Sequence, residues 1–455
     1  MINRKIAMVG GGGVRTPLVI HGLVHAQAQI GVTELHLFDI DAERAEIIAR
    51  LGREIARQAG VDLPITVSTD LERAIEGADF ILSSIRVGGM SGRARDERIA
   101  IEHGLAGQET TGPAGAAMAL RTVPVTLSHA RVIERAAPNA WFINFTNPAG
   151  LVTQALMNHT GLRVVGICDT PIELFHRIAT VFEASPAEME FEYAGLNHLG
   201  WVRGVRLRGE EVTKHLLGDD DKLRRIYHDN LFDPALIRTL GLLPTEYLFF
   251  YYRQRTALAN QTRAGTSRGE ELERMNVELF RRLAADSPTQ ALITYRDYLQ
   301  RRNASYMKLE AQAGSAFDTG KQEADPFEAA TGYHRIALNV ISALLSDQPR
   351  TLVVNVRNDG AIADLESDDV VEVPCEVGGG AVVPHQMGAL AESVRGLVVA
   401  VKAYERTVIR AALAKSARLA ELALLEYPIV GQWDLACDVL ADLIRQDATH
   451  LGYLS

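Results

Sequence analysis

The chain has little cysteine: Cys168, Cys375 and Cys437 are the three in 455 residues. An odd, sparse set argues against a disulfide framework and for a reducing cytoplasm, where a free thiol can persist as a working group. No uninterrupted run of about 18 apolar residues occurs, so no membrane span is expected. The opening MINRKIAMVGGGG holds an apolar run of four residues that ends in glycines, too short for the apolar region of a signal peptide. There is no basic stripe; the net charge of -10 is spread along the chain, which removes the electrostatic footprint that nucleic acid requires. Ser/Gly linkers, repeats and low-complexity tracts are missing as well, so the parts of the chain are expected to pack closely on one another. What remains, 47% hydrophobic and 23% charged residues with 16 prolines, is the composition of a soluble globular enzyme.

At this length two closely packed domains are expected rather than one core. Apolar runs at KIAMVG (5–10), LHLFDI (35–40), ADFILSSI (78–85), AWFINFT (140–146) and RVVGIC (163–168) alternate with segments of helical periodicity, among them 41–60 and 122–136. Strands that are apolar on both faces and separated by helices indicate an α/β, Rossmann-like, doubly wound and mainly parallel sheet over residues 1–190. From 191 to 455 the pattern becomes a mixed α+β, helix-rich second domain: extended pieces after Phe191, long helices to about Ser346, then TLVVNVRNDGAI (351–362), VVEVPCEV (370–377) and further helices. Its expected role is to complete a shared cleft.

The run MVGGGGVRTP (8–17) follows the first strand, and Gly10 and Gly12 match the first two positions of a dinucleotide fingerprint. Glycines there allow a tight turn and close approach to a pyrophosphate, with Gly13, Val14 and Arg15 leading into a helix whose N-terminus attracts anions. Arg15 stands where a third glycine is usual, so the motif alone is weak. Asp39, at the end of the second strand, strengthens it, because a carboxylate there accepts hydrogen bonds from an adenosine ribose and disfavours an added 2′-phosphate. The alternative is a glycine turn with Asp39 capping the helix that starts near Ala42.

Further motifs follow in order: SIRVGGMSGRARDERIAIEHGLAGQETTGPAG (84–115), NFTNPAG (144–150), GICDTP (166–171), GLNHLGW (195–201), LLPTEYLFFYY (242–252) and VVEVPC (370–375). Together, over almost the whole chain, they closely resemble glycoside hydrolase family 4, the NAD-dependent glycosidases, and within it the 6-phospho-β-glucosidases. The resemblance implies hydrolysis of a 6-phospho-β-glucoside to glucose 6-phosphate and aglycone by a redox-elimination route, outside the usual two-carboxylate scheme. In that route NAD takes hydride from C3, a base removes the acidified C2 proton, the aglycone leaves C1, water adds, and the hydride returns. A divalent metal, typically manganese (Mn2+), polarises the C2 and C3 oxygens.

The resemblance also assigns residues. Cys168 and His198 match the metal ligands; taken singly, one reads as a buried core thiol and the other as a satisfied structural histidine. Tyr247 matches the C2 base, with Tyr251 and Tyr252 as competitors in the same aromatic run. Asp169 is either the proton donor that α-specific members carry or a cap on the helix that Pro171 begins, where many β-specific members have Asn. Arg95, Asn147, Arg268 and Arg86 fall at or near the phosphate-contacting positions, Asn147 serves the cofactor side too, and Asn197 in GLNHL joins the substrate contacts.

Two departures from the family pattern stand out: EAATGYHRIA (328–337) replaces a glycine- and tyrosine-rich segment, and Arg357 replaces a usual proline. Other readings remain open: a glycosidase for an α-glucoside, galactoside or unphosphorylated glycoside, a 2-hydroxyacid dehydrogenase, or a non-catalytic NAD-binding sensor. The resemblance further implies a homo-oligomer, dimer or tetramer; the charge pattern and the lack of a long apolar run lead to no expected nucleic acid or membrane partner. The C-terminal amphipathic helices (398–425) are expected to pack in the core rather than between subunits.

Overall fold

The computed structural model describes residues 3–227, 231–306, 325–328 and 331–454. Its strands are β1 (Arg4–Val9), β2 (Val32–Phe38), β3 (Ile65–Ser68), β4 (Phe80–Ser83), β5 (Trp141–Asn144), β6 (Arg163–Gly166), β7 (Met189–Leu196), β8 (Leu199–Leu207), β9 (Glu210–Glu211), β10 (Leu243–Pro244), β11 (Arg350–Arg357), β12 (Val370–Gly378) and β13 (Ala381–Pro384). The five expected strands of the first part are all present, each a few residues shorter or displaced, and β3 was not anticipated. Its ITVS is only four residues long and buries Ile65 alone, too little pattern to read.

Among the described residues, hydrogen bonding joins thirteen strands into one sheet of order β10-β8-β7-β12-β11-β6-β5-β4-β1-β2-β3, with β13 beside β12 and β9 beside β8. The stretch β3-β2-β1-β4-β5-β6 is parallel throughout and has the doubly wound dinucleotide order. Beyond β6 the pairing turns antiparallel, through Gly166 opposite Asn355 of β11 and Gly195 opposite Glu372 of β12. Gly166 permits that junction: a Cβ there would sit 2.4 Å from Thr153 Oγ1 and 2.8 Å from Asn355 Cβ. The sheet therefore continues from the first half of the chain into the second.

Helices cover both faces of the parallel part. The long helix Glu392–Ala414 buries Val394, Val398, Val401, Tyr404, Val408 and Ala411, a three-and-four spacing that turns one face into the core, in line with the core reading of these helices. Among the described residues no helix is long and apolar enough to cross a membrane.

Candidate active site

The parallel strands aim their carboxyl ends at two neighbouring cavities, as open α/β sheets do. The first, of about 680 Å³, is lined by Gly10, Gly12, Gly13, Val14, Arg15, Asp39, Arg86 and Asn147 among others; the second, of about 440 Å³, by Arg15, Asn147, Asp169, Tyr247 and Arg268 among others. Arg15, Arg93, Glu109, Asn147, Leu272 and Arg302 belong to both walls, so the cavities abut.

The glycine loop closes on itself in a way that explains its composition. Gly10 and Gly11 donate their amides to the Phe38 carbonyl at 2.9 and 2.8 Å, Gly12 donates to Asp39 Oδ2 at 2.8 Å, and Gly13 to the Gly10 carbonyl at 3.1 Å. Gly10 has φ +89°, and a Cβ there would lie 2.3 Å from the Ser84 carbonyl oxygen. The amides of Val14 and Arg15 fall outside these bonds, at the N-terminus of the helix Thr16–His25, where a pyrophosphate is favoured. Asp39 does not cap the next helix; Asp41 does, accepting from the Arg44 amide at 3.0 Å. The Asp39 carboxylate is fixed by the amides of Gly12 and Asp41 at 2.8 and 3.1 Å, with lone pairs left for a ribose. Loop, helix end, acid and cavity size together fit a dinucleotide.

Cys168 and His198 stand behind the second cavity's wall, not on it. Cys168 is buried just past β6, donates to Thr170 Oγ1 at 3.3 Å and lies 4.0 Å from the Tyr333 hydroxyl. Burial, reinforced by the charges of Glu372 and Asp169, pushes its thiol well above its ordinary value. His198 sits in the turn between β7 and β8 with φ +61°, and its ring stacks on Tyr247 with centroids 3.9 Å apart. Burial lowers its imidazole to about 4, leaving the neutral form that ligates metals. Thr110 engages Nδ1 at 2.9 Å, so Nε2 is the nitrogen left for a ligand. Tyr247 neighbours both groups, stacked on one and within the field of the other. Among the described residues no three His, Cys, Asp or Glu side chains are placed to hold a metal alone. A thiol sulfur and a neutral imidazole nitrogen are donors that fit a divalent ion, and Cys168 and His198 would supply two of its ligands.

Of the three candidate tyrosines, Tyr247 is the one in the cavity wall; Tyr251 bonds instead to the Tyr427 hydroxyl at 2.9 Å, and Tyr252 is not in the wall. Burial, aided by Glu109 and Glu246, raises the Tyr247 hydroxyl well above its usual range, so a nearby cation has to favour its phenolate. Asp169 occupies the N-cap position of the helix Thr170–Val181 without making a cap hydrogen bond, which removes the capping reading. Its carboxyl is raised by burial and by Glu246 against the pull of Arg15. One helical turn on, Glu173 lines the same wall and is raised to about 8 by burial, Glu246 and Asp169.

Two expected substrate contacts are directed elsewhere. Arg95 pairs with Asp447 at 2.7 Å and is not in either wall, because the helix Gly89–Glu102 turns that face to the C-terminal segment. Asn197 is a brace: its Oδ1 accepts from the Gly150 amide at 3.3 Å and its Nδ2 donates to Glu372 at 3.2 Å. Arg86 faces the larger cavity and bonds Glu109 at 2.7 Å. Arg268 is in the smaller cavity's wall, held by Ser305 and by the Arg302 carbonyl at 2.8 Å. Asn147 keeps a buried Oδ1 without a partner between the cavities.

Sequence reasoning passed over Glu109, the carboxylate at the shared wall. Although burial pushes it upward, Arg93, Arg86 and Arg15 pull it well below the usual carboxylate range. It also passed over Glu246, which accepts from Tyr306 and Arg177, and over Tyr333, whose ring lies 4.3 Å from the Arg15 guanidinium carbon. Glu173 carried a legible signal, its four-residue spacing from Asp169 on a helix; Glu109 carried none, since its three arginines are distant in sequence or on other elements. Of the unusual segment 328–337, Tyr333 and His334 line the smaller cavity, whereas Ala329 and Ala330 lie outside the described residues.

Comparison with known proteins agrees with this geometry. Residues 5–184 match the model of the family 4 glycosyl hydrolases, and residues 193–430 that of the family 4 glycosyl hydrolase C-terminal domain. A probable 6-phospho-β-glucosidase of Bacillus subtilis is 32% identical over 466 residues, spanning 99% of this chain and 97% of its own. A 6-phospho-β-glucosidase from Thermotoga maritima, solved with NAD and glucose-6-phosphate, superposes with a TM-score of 0.84 at 27% identity over 99% of both chains. A second structure of that enzyme, solved with manganese, NAD+ and glucose-6-phosphate, gives 0.82 at 27% identity over 98% of this chain and 99% of that one. With both of its halves matched, the chain belongs to family 4 of the glycosyl hydrolases.

Proposed function

We propose that this protein is a cytoplasmic 6-phospho-β-glucosidase that works with NAD and a divalent ion, Mn2+ by preference, and releases glucose 6-phosphate and an aglycone. The observation that carries the reading is the pair of abutting cavities with Arg15, Glu109, Asn147 and Arg302 in the partition: a cofactor in one reaches a sugar in the other. The relatives solved with NAD, manganese and glucose-6-phosphate support it. Residues 1–190 serve as the cofactor half, 191–455 complete the substrate side, and the working form is a dimer or tetramer of this chain.

When bound, NAD supplies reversible hydride acceptance at sugar C3, and the ion supplies charge stabilisation at O2 and O3. Cys168 and His198 are the residues that would hold the ion. Arg268, with Arg302 beside it, takes the 6-phosphate, since guanidinium forks match phosphate oxygens. Asn147 orients the sugar through its unpartnered amide oxygen. Tyr247 Oη takes the C2 proton. Asp169, its carboxyl raised by burial, retains a proton that it delivers to the leaving-group oxygen.

The test is a screen of nitrophenyl α- and β-glycosides, with and without 6-phosphate, in the presence of NAD, manganese and a reductant. Nitrophenol release from the 6-phospho-β-glucoside without net NADH accumulation is expected. NADH building up in proportion to substrate would mark a dehydrogenase, and NAD binding without any turnover a sensor. Asp169 facing the cavity, where many β-specific members carry Asn, favours one second reading, a 6-phospho-α-glucosidase, which faster release from the α-anomer would establish.

A further inference from the structure

The last helical turns of the chain, Trp433–Gln446 and Ala448–Leu451, lie beyond residue 430, where the match to the C-terminal family model stops. Their tip nevertheless reaches the larger cavity, for His450 is part of its wall. The approach is built and not incidental. Asp447, 4% exposed, accepts from Arg121 Nη1 at 3.1 Å, pairs with Arg95 Nη2 at 2.7 Å and holds His450 Nδ1 at 2.8 Å. Arg121 is fully buried and also grips Asp96, while its Nε donates to the Val87 carbonyl at 3.2 Å. Val87 and Gly88 belong to the same cavity wall, so one guanidinium ties the cavity loop to the C-terminal segment. Tyr453 fixes the segment from the other side, donating to the Leu120 carbonyl at 2.7 Å.

The position along the cavity follows from the helix Gly112–Ala136. Val125 and His129, one and two turns beyond Arg121 on one face, line the cavity. The His129 ring meets Phe38 edge-on at 5.7 Å, immediately before Asp39. This face thus reaches the end of the cavity that Asp39 marks, and His450 joins the same wall through Asp447 beside Arg121. The chemistry of the contact is set by Asp447. A carboxylate only accepts, so Nδ1 carries the hydrogen towards it and Nε2 is the ring nitrogen left for a ligand. A ribose hydroxyl or an adenine edge can meet that nitrogen with a hydrogen bond.

We propose that His450 is a direct hydrogen-bonding contact for the adenosine half of the dinucleotide, with Asp447 as its positioning residue. The proposal rests on the assignment of this cavity to NAD. It is tested by titrating the full-length protein, free of added metal and substrate, with NAD, ADP-ribose and nicotinamide mononucleotide, following binding by calorimetry. His450→Ala weakens NAD and ADP-ribose by about tenfold, the loss of one hydrogen bond, and leaves the mononucleotide and the unfolding midpoint of the ligand-free protein unchanged. His450→Gln, whose amide both donates and accepts, recovers most of the loss. Equal affinities for wild type and His450→Ala, or equal losses on all three ligands, overturn the contact while leaving the cavity's assignment intact. A wild-type protein that binds no NAD overturns the assignment and the contact with it.

Discussion

At the scale of single residues, the decisive fact is how burial resolves side chains of equal promise. Tyr247, Tyr251 and Tyr252 are indistinguishable as residue types, and family position alone favours Tyr247; in the fold only Tyr247 lines the cavity, stacked on His198, while Tyr251 spends its hydroxyl on Tyr427. Tyr247→Phe removes the proton acceptor and nothing else of the same shape. It is expected to cut kcat by about 100-fold or more, the usual worth of a positioned base, with NAD affinity unchanged. Steady-state release of nitrophenol alongside a binding titration checks both halves, and an unaltered kcat would move the proton transfer to another group. Asp169 was legible as an aspartate after a strand and before Pro171, yet cap and acid look alike in sequence. What separates them is the absent cap bond and a cavity full of carboxylates, neither of which is local.

Among the elements, β12 carries a device that its sequence does not reveal. VVEVPC reads as a buried strand, and it is one, but Glu372 at its centre is nearly inaccessible and collects hydrogen bonds from three directions. Tyr193 of β7 donates at 2.7 Å, Asn197 of the turn that holds His198 at 3.2 Å, and Asn355 of β11 at 2.9 Å. Burial outweighs these donors and raises the carboxyl from 4.5 to about 7. The folded state then binds a proton that the unfolded state releases, so stability is fullest below pH 4.5 as far as this group is concerned and declines as pH rises from there to about 7. Denaturant unfolding of Glu372→Gln across that range should lack this decline; a variant with the wild-type slope would assign the pH dependence elsewhere. The strands themselves were legible because two-sided burial makes them continuously apolar. Their order beyond β6 was not, because antiparallel partners nearly two hundred residues apart leave no local trace.

Over the whole molecule, one sheet passes through both matched segments, and its junction at Gly166–Asn355 ties residues 5–184 to residues 193–430. Ligand binding in the first half should therefore stabilise the second. At NAD concentrations 100 times its Kd, mass action adds about 2.7 kcal/mol to the stability of the native state. A single calorimetric transition that moves upward with NAD is expected; two transitions, only one of them shifting, would show that the halves unfold separately. By itself the sequence determined the doubly wound class, the glycine loop with Asp39, and the ordered motifs that place the chain in its family, because each is written in local periodicity or in contiguous residues. Only the tertiary structure decided that Arg15, Glu109, Asp169, Tyr247, Arg302 and Tyr333 share one cavity, that Arg95 turns to Asp447 and Asn197 to Glu372, and that Cys168 and His198 stand behind the cavity's wall. The reason is physical: whether a side chain is desolvated, charged or free to meet a ligand depends on every element packed around it, and those elements are assembled from the full length of the chain.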